Sequence, residues 1–259
     1  MSAVLVDSHC HIPMIEEPAV VTDILANARD NGVGHMLCVS VGEADYPVLR
    51  QLATDHDCLS ASIGIHPNTE TAAEPQVRDL VREADYPGVV AIGETGLDYY
   101  RSRGDLDWQR DRFRTHIRAA REINKPLIIH CREAKEDVLT LLKEEHASDV
   151  GGVMHCFVED LDTARRAMDL NFLISFSGIV TFKNAIELQG VARVLPLEAV
   201  LVETDSPYLA PVPFRGKPNQ PAYVRYVAEY IAALRETGVA QVAAATTANY
   251  QQLFGEINT

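Results

Sequence analysis

The chain has 259 residues, 47% hydrophobic and 23% charged, the balance of an ordinary globular protein, and its formal net charge is 23 − 37 = −14. So acidic a chain does not hold long duplexes by a broad positive face, because phosphate contacts need Lys and Arg. Any contact with nucleic acid is expected to be short, end-directed, or confined to a locally positive site. No apolar run approaches the ~18 residues that span a bilayer, and no basic stretch leads into an apolar one at the N-terminus. A cytoplasmic protein without a membrane partner is expected. Five cysteines without a C-x-x-C pair argue against a disulfide framework or a zinc knuckle and fit a reducing compartment.

In chain order, Val4-Leu5-Val6-Asp7 reads as a strand running into His9-Cys10-His11. Side chains alternate faces along a strand, so His9 and His11 point the same way. Further strand-like runs end near positions 40 and 64, the latter followed by Gly64-Ile65-His66-Pro67. Val89-Val90-Ala91-Ile92-Gly93 ends in Glu94. From Asp105 to Asn124 the spacing predicts a helix with Leu106, Phe113, Ile117 and Ala120 on one face, stopped by Lys125-Pro126. Leu127-Ile128-Ile129 ends in His130, and Val153-Met154 ends in His155. A seventh run ends near 176. Ala199-Val200-Leu201-Val202 runs into Glu203-Thr204-Asp205, with Glu203 and Asp205 expected on one face. The proline-rich stretch from Ser206 to Gln220 reads as a rigid rim. Asn219-Gln220-Pro221 starts a helix with Val224, Val227, Ile231 and Leu234 on its apolar face and Gly238 at its end. A last helix carries Val242, Ala245, Leu253 and Phe254.

The eight runs are spaced by 21 to 36 residues, each spacing one βα unit. Their alternation with helices predicts an α/β fold, a (β/α)8 TIM barrel spanning 1–259 as a single domain, with a metal site at the C-terminal mouth of the strands. An open doubly wound sheet is the alternative. Closure is favoured because ligands come from the first, fourth, fifth, sixth and eighth strands, and only a closed barrel joins the first to the eighth.

Four imidazoles (His9, His11, His130, His155) and two carboxylates (Glu94, Asp205) at one mouth make a site for two divalent cations, and hence a hydrolase. Glu94 is the candidate bridge between the two. Asp205 can both ligate and accept the proton of an attacking water. Singly, each has a bland reading: a strand-end acid is commonly a solvated charge or helix cap, and a lone histidine a hydrogen-bonded core residue. The joint pattern at strand ends is what carries the assignment. His66 is read equally as a substrate contact or a structural turn, and His35, His56, His116 and His146 as surface or core residues. Cys10, Cys131 and Cys156 each follow a candidate ligand and are expected to point into the packing behind the mouth as small buried hydrophobes.

Taken together and in this order, several segments resemble the TatD family of metal-dependent deoxyribonucleases, within the amidohydrolase-like superfamily. They are Asp7-Ser8-His9-Cys10-His11, Gly64-Ile65-His66-Pro67, Gly93-Glu94-Thr95-Gly96-Leu97-Asp98-Tyr99, Asn124-Lys125-Pro126, His130, His155-Cys156-Phe157, Ser175-Phe176-Ser177-Gly178 and Glu203-Thr204-Asp205-Ser206-Pro207 through Pro211. Ser177 to Asn184 and Arg215 to Pro221 resemble the YcfH-like branch. The resemblance implies a TIM barrel that hydrolyses phosphodiester bonds in DNA, single-stranded or at ends, with Asp205 and Glu94 as catalytic groups. By the same analogy His9, His11 and Asp205 hold one metal, Glu94 bridges, and His130 and His155 hold the second; the ligand types do not choose among magnesium, manganese and zinc. Glu94 stands where other superfamily members carry a carboxylated lysine, which disfavours cyclic-amide hydrolysis.

Arg132, Arg215 and Lys217, with Lys183, lie after strands at the expected mouth and are read as phosphate contacts or surface charge. Glu203 and Asp98 are expected to orient the ligands or to pair with arginines. A hydrolase of another ester, such as an aminoacyl-tRNA ester or a small metabolite, is the alternative function, and a non-catalytic metal-binding module a third. A monomer without an obligate protein partner is expected.

Overall fold

Strands buried on both faces read as continuous apolar runs rather than alternating ones, and parallel sheets are built of such strands. The computed structural model describes residues 4–15 and 20–257. Its strands are β1 (Leu5–Cys10), β2 (Val33–Cys38), β3 (Leu59–Ile63), β4 (Val89–Asp98), β5 (Leu127–Arg132), β6 (Gly152–Met154), β7 (Phe172–Phe176) and β8 (Val200–Val202). The eight form one sheet in chain order. Between them run α1 (Val21–Asp30), α2 (Tyr46–Asp55), α3 (Val77–Ala84), α4 (Asp107–Ile123), α5 (Lys135–Glu144), α6 (Leu161–Asp169) and α7 (Ile186–Val194), while α8 (Val224–Leu234) and α9 (Val239–Phe254) follow β8. The first strand meets the segment after the last. Cys10 bridges to Ser206 in parallel, His11 N–H donates to Ser206 O at 2.8 Å, and Asp205 N–H donates to His9 O at 2.9 Å. That closure excludes the open doubly wound sheet and makes the topology a TIM barrel.

Two units divide the chain: Met1–Cys38 with Cys156–Ala164 and Ile174–Thr259, and Val39–His155 with Arg165–Leu173. In the first, Leu5, Val6, Leu37, Val200 and Leu201 are buried together with Val227 and Ile231 of α8 and Val242 of α9. In the second, Ile63, Ile92, Leu127 and Ile128 are buried with Phe113 and Ile117 of α4 and Val138 and Leu142 of α5. Burying each such side chain contributes roughly 1.5–3 kcal/mol.

The long helix forms as its spacing predicts, ending one residue before Asn124. That residue takes the left-handed conformation (φ 52°) which asparagine tolerates at a helix end. Lys125 Nζ then donates to the Ala84 and Val89 carbonyls, each at 2.6 Å, and Pro126 forbids continuation. The end expected at Gly238 is different. Glu236, not a glycine, takes the left-handed position (φ 53°) after α8, Thr237 N–H returns to Ala232 O at 3.0 Å, and Gly238 caps the start of α9. No helix among the described residues is long and apolar enough to cross a membrane.

Candidate metal centre

The first unit carries one cluster at the carboxyl ends of β1 and β8. His9 and His11 are buried, their Nε2 atoms 3.2 Å apart and their rings edge to face. Asp205 Oδ1 lies 3.4 Å from His11 Nε2 and 3.7 Å from His9 Nε2. Four-coordinate zinc with bonds of about 2.0–2.1 Å sets its ligand atoms ~3.3 Å apart, so these three side chains stand at coordination spacing.

Strand alternation does not place Asp205, contrary to the sequence expectation. β8 stops at Val202, and Asp205 sits in left-handed backbone (φ 56°), a conformation that persists only when its surroundings impose it. A clamp on Thr204 supplies the constraint. Asp7 Oδ1 accepts the Thr204 N–H at 2.8 Å and Asp7 Oδ2 accepts its hydroxyl at 2.5 Å. Ser206 N–H donates back to Thr204 Oγ1 at 3.2 Å, and Asn219 Nδ2 donates to the Thr204 carbonyl at 2.9 Å. Full burial pushes the Asp7 carboxyl well above its ordinary value, against the Thr204 bonds that pull it down. Glu203 is also fully buried, and its Oε1 accepts the Cys156 N–H at 2.9 Å. That contact anchors the turn after β6.

The second unit carries a cluster around Glu94, inside β4. Its Oε1 lies 2.9 Å from His130 Nδ1, 2.9 Å from His155 Nε2 and 3.6 Å from His66 Nε2. The β4–β5 register sets Gly96 opposite His130. A Cβ on Gly96 (φ +138°) would lie 2.0 Å from the His130 carbonyl oxygen, so only glycine lets the strands approach there. Behind His130 stands Asp98, its Oδ2 3.2 Å from Nε2. Asp98 is itself held by Asn68 Nδ2 (2.7 Å), the Arg101 N–H (2.8 Å) and Gln109, whose Oε1 accepts its N–H at 2.8 Å.

Electrostatics follow from this packing. Burial alone would raise the Glu94 carboxyl, but His155 and His66 beside it and the bonds to His130 and His155 hold it well below the usual range. Asp98 likewise resists burial and is lowered by His130, the Arg101 amide and Asn68. His130 is lowered by burial yet net raised by Asp98 and Glu94. His66 is pushed down to about 4, by burial before all else.

Of the predicted residues, His9, His11 and Asp205 come together in one cluster and Glu94, His130 and His155 in the other, with Asp98 Oδ2 3.2 Å from His130 Nε2. His66, read as substrate contact or turn, lies among potential ligands: its ring is 4.5 Å from that of His130, and with Glu94 and His130 it makes a candidate metal-ligating group. Arg132 stacks over the Tyr100 ring at 4.1 Å, Arg215 over Phe182 at 3.6 Å and Lys217 over Phe214 at 6.0 Å. Cys10 is buried as expected. Cys131 and Cys156 are only half-buried, and Cys156 lies in left-handed turn backbone (φ 44°) beyond β6, where alternation no longer applies.

Asp7, Thr204 and Asn219 went unassigned as site residues, as did Ser40, Asn68, Gln109 and His116. Ser40 Oγ accepts the Gly64 N–H at 2.8 Å and lies against the Gly93 carbonyl, joining the loop that bears His66 to the residue before Glu94. His116 Nε2 accepts the Ile65 N–H at 3.0 Å. The only local signal was a buried-looking acid two residues before His9.

Imidazole and carboxylate donors, buried or half-buried and grouped within ligand distance of one another, fit divalent cations of the zinc, manganese or magnesium kind. Fold and site together define a metal-dependent hydrolase built on a TIM barrel. The family model described as TatD related DNase matches residues 6–255, and the chain belongs to the TatD family. It is 49% identical over 254 residues to YcfH of Escherichia coli (strain K12), named an uncharacterized metal-dependent hydrolase, covering 96% of this chain and 95% of that protein. With YabD of Bacillus subtilis (strain 168), named in the same way, it shares 40% identity over 251 residues, 96% of this chain and 98% of the other. Among solved structures, the TatD homolog YJJV of Escherichia coli K12 superposes with a TM-score of 0.90 at 28% identity, over 99% of this chain and 100% of that one.

Proposed function

We propose that this hydrolase is a deoxyribonuclease that cleaves phosphodiester bonds at single-stranded stretches or ends of DNA. The observation that carries the reading is the pair of histidine–carboxylate clusters, buried or half-buried and each at ligand spacing, on or just beyond barrel strands. Two divalent cations are assigned: one to His9, His11 and Asp205, the other to Glu94, His130 and His155, with His66 beside them. Such cations lower the pKa of a bound water and neutralise charge on a phosphoryl transition state.

The chain's own groups do the rest. The Asp205 carboxylate accepts the proton of the attacking water, its position set by the Thr204 clamp. Asp98 holds the His130 ring in one orientation. Arg215 and Lys217, seated on Phe182 and Phe214, and Arg132, seated on Tyr100, offer cationic contacts for phosphates. The net charge of −14 opposes broad duplex binding and favours short, end-directed contact. The whole chain is taken to act as one cytoplasmic hydrolase domain, monomeric and without an obligate partner.

A second reading is hydrolysis of another ester, an aminoacyl-tRNA ester or a small metabolite. The acidic net charge of −14 favours it, and the same metal chemistry serves acyl transfer. The test incubates purified protein with Mg2+, Mn2+ or Zn2+ and oligonucleotides blocked at either end, beside an ester panel. EDTA should abolish cleavage, and Asp205→Asn should lower it by roughly 10²–10⁴-fold in a folded protein. A comparable kcat/KM for an unrelated ester would refute the nuclease assignment, and undiminished cleavage by Asp205→Asn would refute Asp205 as the base.

A further inference from the structure

The segment from Tyr99 to Leu106 leaves the sheet at the end of β4 and leads into α4. Arginines in this unit commonly pair with acids: Arg112 with Glu74 at 2.6 Å, Arg114 with Glu144 at 2.9 Å. Arg132 is used differently. Its guanidinium lies over Tyr100, Cζ 4.1 Å from the ring centroid, and neither Arg132 nor Arg103 has an ion-pair partner among the described residues. With one face covered by Arg132, Tyr100 is still 52% exposed. Beside it opens a cavity of about 700 Å³ lined by Tyr99, Tyr100, Ser102, Arg103, Leu106 and Glu133. That volume lies within the ~300–1,000 Å³ of small-ligand sites.

The walls are fixed before any ligand arrives. Tyr99 donates its hydroxyl proton to Asp137 at 2.5 Å and accepts from Arg110 at 3.0 Å. Ser102 donates to Asn68 Oδ1 at 2.7 Å and accepts from Gln109 Nε2 at 3.2 Å. These are the Asn68 and Gln109 that hold Asp98 behind His130. Asp98 is register partner of Arg132, and the Tyr99 N–H donates to the Arg132 carbonyl at 3.0 Å. Arg132 therefore stands two residues beyond His130 on β5, about 7 Å along the strand, the reach of one nucleotide.

We propose that the β4–α4 loop is a nucleotide subsite of the hydrolase: a nucleobase of single-stranded nucleic acid stacks on the open face of Tyr100, and Arg103 and Arg132 neutralise the phosphates beside it. The proposal rests on the nuclease reading and narrows its substrate to unpaired strands, since a base inside a duplex has no free face. An exposed ring backed by an unpaired arginine is the arrangement that single-strand binders use, tolerant of sequence because every base has a π-face. The Glu133 carboxylate in the lining repels phosphate at its own position and can accept a hydrogen bond from a base N–H, the N3–H of thymine included. The cavity thus suits a base rather than a bare anion.

Binding is measured by fluorescence anisotropy in EDTA, which prevents hydrolysis. The probes are a labelled oligothymidylate, an abasic oligomer of equal length and charge, and a duplex. Wild type should bind oligothymidylate more tightly than the other two. Tyr100→Ala should weaken oligothymidylate binding roughly 10- to 100-fold while leaving the abasic oligomer nearly unaffected, and Tyr100→Phe should retain wild-type affinity. Arg132→Ala should weaken both oligomers. A second variant, Tyr100→Trp with Trp108→Phe to remove the chain's one native tryptophan, should show fluorescence quenched by oligothymidylate.

Equal affinity of wild type for abasic and base-bearing oligomers, or full affinity in Tyr100→Ala with an unchanged melting temperature, would overturn the subsite. Cleavage by a protein whose binding ignores Tyr100 would leave the nuclease reading standing without it. Tyr100-dependent binding with no cleavage under any divalent cation would do the reverse.

Discussion

Replacing His116 tests how the loop that bears His66 is held. His116 is fully buried in α4; its Nδ1 is 2.8 Å from the Arg112 carbonyl and its Nε2 accepts the Ile65 N–H at 3.0 Å. An amide can only donate there and a carbonyl can only accept, so the ring is neutral with its proton on Nδ1. A second proton would face the Ile65 N–H donor to donor. Burial, opposed by the Arg112 carbonyl bond, lowers His116 to about 4. In the unfolded chain histidine titrates near ~6.5.

Above pH ~6.5 neither state carries the proton and the native state keeps its full stability. Between ~6.5 and ~4 the unfolded chain binds a proton that the native protein does not, so stability falls with pH by about 1.4 kcal/mol per unit. The total is ~3 kcal/mol, and the loss levels off once the native ring is protonated too. His116→Gln keeps an acceptor for Ile65 and removes the titration. His116→Leu removes both and costs a further ~1–3 kcal/mol at neutral pH for the orphaned N–H. Urea unfolding followed by circular dichroism, in EDTA so that metal linkage does not intrude, measures the difference near pH ~7.5 and ~4.5. Wild type should lose ~2–3 kcal/mol more than His116→Gln over that interval. His35, also lowered to about 4 by burial, contributes to both proteins and cancels. Parallel pH dependences in wild type and His116→Gln would refute the neutral-anchor argument.

Asp7→Asn turns one of the two acceptors facing Thr204 into a donor and releases the clamp on Asp205. Divalent-cation affinity should fall 10–100-fold by calorimetric Mn2+ titration, and wild-type affinity would show that the clamp does not set Asp205. In Gly96→Ala the new Cβ meets the His130 carbonyl at 2.0 Å from a positive φ, so strain and overpacking combine to at least ~3 kcal/mol. A melting temperature within about 2 °C of wild type would contradict the close β4–β5 approach. Adding Mn2+ at about 100 times its Kd to chelated protein should raise unfolding free energy by ~2.7 kcal/mol, and no rise would mean that the clusters do not hold the ion in the native state.

The candidate metal ligands are legible in the sequence and their supports are not, for one physical reason. His9, Glu94 and His130 stand on doubly buried strands, so each follows an apolar run and is marked locally. Asp205 is marked by its neighbours in sequence, but strand alternation does not set its direction, because β8 ends at Val202 and Asp205 itself is left-handed. The contact that enforces that conformation joins Asp7 to Thr204, 197 residues away, and no pattern within a window encodes a hydrogen bond of that span. His116 lies in the same apolar periodicity as Phe113 and Ile117, so its role as acceptor for Ile65 looks from sequence like ordinary core. Arg132 reads from sequence as a phosphate contact or a surface charge alike, and only the β4–β5 register that sets it opposite Asp98 and its place over Tyr100 give it a fixed neighbour. Ligand chemistry is thus written at strand ends, whereas orientation is written in pairings between loops and strands that only the closed sheet creates. Asp7→Asn and His116→Leu accordingly separate the two: they keep every candidate ligand side chain and remove only what positions the segments that carry Asp205 and His66.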